Sequence, residues 1–252
     1  QTCALPIWQE NNVSNLFLND LNYNYNYSNN KILLYNKYEK KNYTLEELNS
    51  LILKFIIKKS EKQTGQNIKD VVITIPAHFN QNQRDSVLIS CKLSNLNCIR
   101  LINEPTSAAL AYGLNKHDDL NILIFDLGGG TFDLSILNID DGLYEVIATN
   151  GDNNLGGEDF TNLLLDDVLK EINFEIGSED KKNLRELCEK FKKNDINEIS
   201  LQNFIYSKKR NEVTYLFNNL LDKIEKLIDE IIIHSNLNYN NIDYVEIGRA
   251  HV

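Results

Sequence analysis

Phe125-Asp-Leu-Gly-Gly-Gly-Thr-Phe-Asp133 is the stretch whose reading decides the fold of this chain. The run before it, Asn121-Ile-Leu-Ile-Phe125, is apolar and bounded by polar residues, the pattern of a buried strand. Phe132 to Ile139 gives a second strand pattern at once. The two are joined by Gly128-Gly129-Gly130-Thr131, a turn with no bulky side chain until Thr131. Glycine admits positive φ and close approach of a ligand to the backbone. Such a turn can aim several N–H groups at one anion, as a phosphate-binding nest does. Asp126 and Asp133 flank it and would repel a phosphate unless a cation lay between, so the economical reading is a nucleotide phosphate held with Mg²⁺, largely through water. A glycine-rich hairpin with ordinary edge aspartates has the same local pattern, and other segments must decide.

Asn150-Gly-Asp-Asn-Asn-Leu-Gly-Gly-Glu-Asp-Phe160 reads as a second glycine- and acid-rich loop running into a helix patterned by Phe160, Leu163, Leu164, Val168, Leu169 and Ile172. It is expected to deliver free N–H groups at a helix N-terminus. Leu101 to Gly113 reads as a strand end entering a helix, with Pro105 in the first turn, an alanine run, and Gly113 placed to stop it. Small residues there suit the close packing of a hinge. Glu104, at that helix start, suits a carboxylate that stabilises a helix terminus.

These segments, with Ile73-Thr-Ile-Pro-Ala-His-Phe-Asn-Gln-Asn-Gln-Arg84, resemble in order and spacing the ATPase domain of the seventy-kilodalton heat-shock chaperones of DnaK type. The match is dense from about Leu45 to Phe160 and looser to Val245. The resemblance implies an α/β, actin-like ATPase fold of two ribonuclease-H-like lobes closing on ATP or ADP with Mg²⁺, here incomplete at both ends. Carried over by position, Gly129, Gly130 and Thr131 would contact the β- and γ-phosphates, with Gly128 shaping the turn. Asp126 would orient the Mg²⁺ shell and the attacking water, Thr131 would act near the γ-phosphate, and Glu104 and Asp133 would belong to the same hydrated cation network. Gly157 would be a phosphate-side backbone contact. Cys188-Glu-Lys-Phe-Lys-Lys193 resembles the helix that grips adenosine, so Glu189 and Lys192 would touch ribose and base, with Lys193 stacking nearby. A solvated helix face explains these last three equally. Pro76 and Arg84 resemble the pair that relays peptide occupancy to the nucleotide.

The implied function is ATP-dependent protein folding in the stress response, slow ATP hydrolysis driving lobe rotation about the 103–113 helix. Implied partners are unfolded peptide clients, bound through a domain outside this chain, J-domain co-chaperones and nucleotide-exchange factors. Two other classes compete: another actin-like ATPase, either filament former or sugar kinase, and a nucleotide-independent interaction protein derived from a chaperone. The Ile73–Arg84 and Asn103–Gly113 segments disfavour the first.

The chain departs from the family pattern. It shows no first Asp-Leu-Gly-Thr-Thr phosphate loop, no counterpart of the catalytic lysine before Leu45, and no Val-Gly-Gly run after Ile242–Val245. Ile196 stands where the family has a serine near the base, and the helix after Arg84 lacks the usual glycines and alanines. Weak ATP binding and little hydrolysis by this polypeptide alone are expected. Gln1–Ile7 can be encoded as CAGACGTGTGCTCTTCCGATC and Ile247–Val252 as ATCGGAAGAGCACACGTC, the reverse complement of part of it. Residues 1–7 and 246–252 are therefore expected to be translated sequencing adapter, which removes Cys3 and His251 from functional consideration.

With 252 residues the chain can hold one large or two modest domains. A net charge of −10 argues against general nucleic-acid or membrane-surface roles. Composition supports an intracellular, by default cytoplasmic, setting, with an organelle left open; no apolar stretch reaches membrane-span length, and the lack of a visible signal peptide is uninformative because the true N-terminus is expected to lie outside the chain. Cys91, Cys98 and Cys188 lack metal spacing and are expected to be reduced and packed. His78 and His234 are isolated. The Asn/Tyr-rich stretch 19–30 reads as low-complexity or poorly ordered. Residues 8–118 are expected to belong to lobe I and 119–245 to lobe II, with an outer subdomain at 160–211. Glu212 to Ser235 is expected to be one helix with a stripe of Leu216, Leu220, Leu221, Ile224, Leu227, Ile228 and Ile231.

Overall fold

The computed structural model describes residues 25–28, 31–111 and 119–248. Gly113, and the terminal residues 1–7 and 249–252, lie outside the described residues. The chain divides into two compact units, Gln1–Leu114 and Asn115–Val252.

In the first unit, β1 (Tyr25–Ser28), β2 (Lys31–Asn36) and β3 (Lys41–Thr44) form an antiparallel sheet. Part of the Asn/Tyr-rich stretch is thus a strand, a correction to its low-complexity reading; tyrosine favours strands strongly enough to offset the asparagines. Helix α1 (Leu45–Thr64) starts at a capping box, in which the Thr44 hydroxyl accepts from the Glu47 N–H at 3.2 Å and the Glu47 carboxylate accepts from the Thr44 N–H at 2.9 Å. It ends at Gly65, whose φ of +69° few other residues adopt.

β4 (Asp70–Ile75) and β5 (Asn97–Asn103) pair in parallel, connected by α2 (Gln81–Leu93). β5 runs straight into α3 (Glu104–Ala111). In place of alanines, α2 meets α1 through Ser86 and, just past its end, Ser94. Ser86 donates to the buried Glu46 carboxylate at 3.1 Å and Ser94 to the Ser50 carbonyl at 3.0 Å. Small side chains with satisfied hydroxyls let the helices approach without leaving a buried polar group unpaired.

The second unit is built on a four-stranded sheet of β6 (Leu120–Leu127), β7 (Phe132–Asp140), β8 (Leu143–Asp152) and β11 (Tyr244–Gly248) in the order β11-β6-β7-β8. β11 runs parallel to β6 and the other pairs are antiparallel. β11 extends past Val245, pairing Gly248 with Asp126. β8 was not read from the sequence, and it takes Asn150, Gly151 and Asp152 out of the expected loop into the ladder opposite Leu134, Asp133 and Phe132.

Helix α4 (Gly157–Glu171) follows, then α5 (Ser178–Lys192) and a short hairpin of β9 (Ile199–Leu201) and β10 (Phe204–Tyr206). These enclose a core around Leu164, Val168, Leu184, Cys188, Phe191, Ile199 and Tyr206. The expected single helix from Glu212 is instead two, α6 (Arg210–Leu216) and α7 (Asn218–His234), separated at Phe217. Phe217 packs against both the outer core and the sheet core and meets Phe160 edge-on at 5.1 Å, and this anchoring sets the break. Past it the expected stripe faces the sheet core, with Ile224 and Ile231 buried and Leu220, Leu227 and Ile228 packed against it; Leu221 departs from it and is exposed, and Ile232 joins the core. Among the described residues no helix is long and apolar enough to cross a membrane.

Ile136, fully buried at the centre of β7, should carry much of the sheet core. Ile136→Ala is expected to lower the unfolding free energy by about 2–5 kcal/mol, read from urea titration by circular dichroism.

Candidate functional site

The turn between β6 and β7 is closed by the Gly128 N–H, which donates to the Thr131 carbonyl at 2.8 Å. The ladder then pairs Leu127 with Phe132 and Asp126 with Asp133. Directly opposed residues of an antiparallel pair share a face, so both carboxylates project to the same side. Burial raises the Asp126 pKa above the ordinary carboxylate range, and the neighbouring Asp133 charge raises it further. Two like charges held this way form an arrangement that a divalent cation relieves. Among the described residues no three His, Cys, Asp or Glu side chains gather as a metal cage. The donor set fits Mg²⁺, which keeps several waters and takes phosphate oxygens as further ligands.

Gly129 and Gly130 are exposed at the tip of the turn. Among the described residues neither N–H has a protein acceptor. Their carbonyl side is engaged instead: the Gly157 N–H donates to the Gly128 carbonyl and the Glu158 N–H to the Gly129 carbonyl, both at 2.8 Å. The Gly156 N–H donates to the Asp159 carboxylate at 2.7 Å. The expectation of free N–H groups at the start of α4 is therefore corrected. Those donors brace the hairpin turn from behind, and the donors left to face an anion are those of the turn.

The bracing demands glycine at position 156. A Cβ there would lie 2.5 Å from the Gly129 carbonyl oxygen and from the Gly130 Cα, which rigid backbone cannot yield. Gly151, at φ +154°, is equally constrained, because a Cβ would lie 2.3 Å from the Phe132 carbonyl oxygen. Neither residue was singled out by the sequence reading as a backbone contact, although the glycine pair at 156–157 was the visible signal.

Glu189, Lys192 and Lys193 come together at the end of α5, and one of them, Lys192, reaches the second glycine loop. The Lys192 ammonium donates to the Gly157 carbonyl at 2.7 Å and to the Thr161 hydroxyl at 2.8 Å, and pairs with Glu189 at 2.7 Å. Lys193 pairs with the other Glu189 oxygen at 3.3 Å, and the Thr161 hydroxyl donates to Glu189. Burial pushes the Glu189 pKa up, but the hydrogen bonds from Lys192 and Thr161 outweigh it and hold the carboxyl below its usual range. Thr161 was missed by the sequence reading; its position one helical turn after Gly157 is the signal that would have found it. The end of α5 is fixed by Arg210, which donates to the Phe191 carbonyl at 2.6 Å and the Ile196 carbonyl at 3.3 Å and lies over the Phe191 ring at 4.4 Å.

The remaining expected residues belong to the first unit. The Phe79 N–H donates to the Pro76 carbonyl at 3.2 Å, closing a turn. Arg84 donates to the Phe79 carbonyl at 3.0 Å and to the Asn103 side chain at 3.3 Å. A single guanidinium thus ties the Pro76 turn to the residue immediately before Glu104.

Comparison with known proteins agrees with this geometry. The family model described as Hsp70 protein matches residues 8–248. A chaperone protein DnaK from Mycoplasmopsis synoviae (strain 53) is 36% identical over 229 residues, covering 83% of this chain and 38% of that protein. A chaperone protein dnaK from Cyanidium caldarium is 38% identical over 211 residues, covering 80% of this chain and 34% of that protein. The chain belongs to the Hsp70 family, and its α/β fold is that of the family's actin-like ATPase domain. It spans little more than a third of the length of these relatives.

Two outcomes test the site's physics. Gly156→Ala should force the two loops apart, at a cost of about 1–3 kcal/mol, and speed hydrogen exchange at the Gly157 and Glu158 amides far more than in β7. Asp126→Asn should raise the melting temperature at neutral pH. The folded pKa is raised, so ionising Asp126 costs stability above it, and the advantage of asparagine should fade as the pH falls below the ordinary carboxylate range.

Proposed function

We propose that this chain is part of an ATP-dependent protein-folding chaperone and that Gly128–Thr131 holds the nucleotide phosphates. The observation that carries this reading is the turn itself: two exposed glycine N–H groups without protein acceptors, flanked by facing carboxylates. Phosphoryl transfer to water asks for positioning and charge neutralisation far more than for covalent help. Gly129 and Gly130 would donate to phosphate oxygens, with the Thr131 hydroxyl beside the transferred group. Asp126 would orient the attacking water, and Asp133 and Glu104 would hold water molecules of the hydrated ion. Mg²⁺, when bound, would neutralise phosphate charge.

Glu189, Lys192 and Lys193 would form the ribose and base side. Because Lys192 is bonded to the Gly157 carbonyl and Gly157 to the turn, that side and the phosphate turn form one connected unit. On this proposal residues 8–118 are lobe I and 119–245 lobe II, with 160–211 as the outer subdomain. Lobe rotation about α3 would convert phosphate occupancy into a shape change, relayed through Arg84 and Pro76. Peptide clients, J-domain proteins and nucleotide-exchange factors would be the partners, in the cytoplasm.

Saturation-transfer NMR of the chain with ATP and Mg²⁺ tests the reading. Transfer to the adenine protons is expected, with affinity weaker than micromolar, and Lys192→Ala together with Glu189→Ala should abolish it. No transfer at millimolar nucleotide, or transfer untouched by the double substitution, would overturn the assignment.

A further inference from the structure

Two helix faces, one in each compact unit, are open to solvent and carry opposite charge. On α1, Leu51, Lys54, Phe55, Lys58 and Lys62 recur at helical spacing and share one face, all of them exposed, Phe55 at 62%. Among the described residues these three lysines have no ion-pair partner, and Lys59 beside them lies over the Phe55 ring at 5.5 Å. The acids on that side are engaged by main chain: the Glu47 carboxylate accepts from the Thr44 N–H and the Glu61 carboxylate from the Ile68 N–H, both at 2.9 Å. The face is therefore basic around two apolar side chains, in a chain whose net charge is −10.

On α7, Leu221, Asp222, Glu225, Asp229 and Ile233 form the second exposed face, with Ile233 at 70%. Among the described residues Asp222 and Glu225 have no ion-pair partner, and Asp229 accepts from the hydroxyl of Tyr239, whose side chain is itself exposed. Lys226, at the edge of this face, is drawn aside by Glu230 at 3.8 Å. The fold uses the other side of each helix: α7 packs Ile224 and Ile231 on the sheet core, and α1 meets α2 through Glu46 and Ser50.

We propose that these faces dock on each other between copies of this chain, α1 of one copy lying antiparallel on α7 of the next. Each stripe runs about 17 Å along its helix, so the two match end to end. In the antiparallel register Leu51 meets Ile233, Phe55 meets Tyr239 beside Asp229, Lys58 and Lys59 meet Glu225, and Lys62 meets Asp222. A parallel arrangement would set Lys62 on Ile233 and Leu51 on Asp222, so the order of the side chains fixes the direction. The opposed charges select the partner face and make the contact salt-dependent, while the apolar side chains supply the area removed from water. Every copy carries both faces, so the contact closes into a twofold dimer if made reciprocally and otherwise continues head to tail. Neither face includes the glycine turn or the Glu189 cluster, so this proposal and the nucleotide assignment stand or fall separately.

A charge swap in the full chain makes the test direct. One variant carries Lys58→Glu with Lys62→Glu, the other Asp222→Lys with Glu225→Lys; all four positions are exposed, so both variants should keep the parent circular dichroism spectrum. In sedimentation velocity the parent chain is expected to sediment faster as its concentration rises, with the association constant falling about tenfold or more between about 50 mM and about 500 mM salt. Each variant alone should remain a monomer, because its own two faces then carry like charge. An equimolar mixture of the two should associate again, since the acidic α1 of one meets the basic α7 of the other and the unaltered faces also match. A parent chain that stays monomeric at every concentration would overturn the proposal. So would association that either variant retains alone, or a mixture that fails to recover it.

Discussion

The contact of two bare backbones, Gly156 against Gly129 and Gly130, is the constraint on which the rest of the candidate site depends. No side chain fits at 156, so the start of α4 can press directly on the turn and engage its carbonyls with two amide hydrogen bonds. Engaging the carbonyls fixes which way the peptide planes point, and the amides at the tip are turned outward as a consequence. Gly151 applies the same logic one ladder rung away, where β8 crosses Phe132 too closely for any Cβ. The anion-facing surface is made from behind, by groups that never need to touch a ligand.

Charge is managed differently on the two sides of that turn. Asp126 and Asp133 are left facing each other, a repulsion that the sheet core around Phe132 and Leu134 sustains. Glu189 is compensated by Lys192, Lys193 and Thr161. The facing aspartates are the pair whose mutual repulsion a cation would relieve, whereas the Glu189 cluster acts as a brace between α5 and α4.

Much of this was legible in the residues. The β6–β7 hairpin and its flanking aspartates follow from apolar runs broken by three glycines, because both signals are local. The α2 and β5 segments were legible for the same reason. What escaped reading depends on tertiary contacts. Asn150–Asp152 look like loop residues and become strand because β7 offers them a partner. The Phe217 break interrupts an otherwise continuous helical pattern, since one aromatic ring is claimed by two cores. The use of the α4 amides reversed the expectation: glycines before a helix announce a close approach, but not whether the approaching group is a ligand or another loop.

Arg210 carries a consequence for substitution tolerance. It anchors the end of α5 by gripping carbonyl oxygens of Phe191 and Ile196, and so reads the course of the main chain and not the identity of the residues there. Position 196 can exchange a hydroxyl for a branched aliphatic side chain while the anchor, and Lys192 behind it, stay in place. The residue beside a proposed base pocket is thereby uncoupled from the geometry that positions the pocket, and selection can retune one without rebuilding the other.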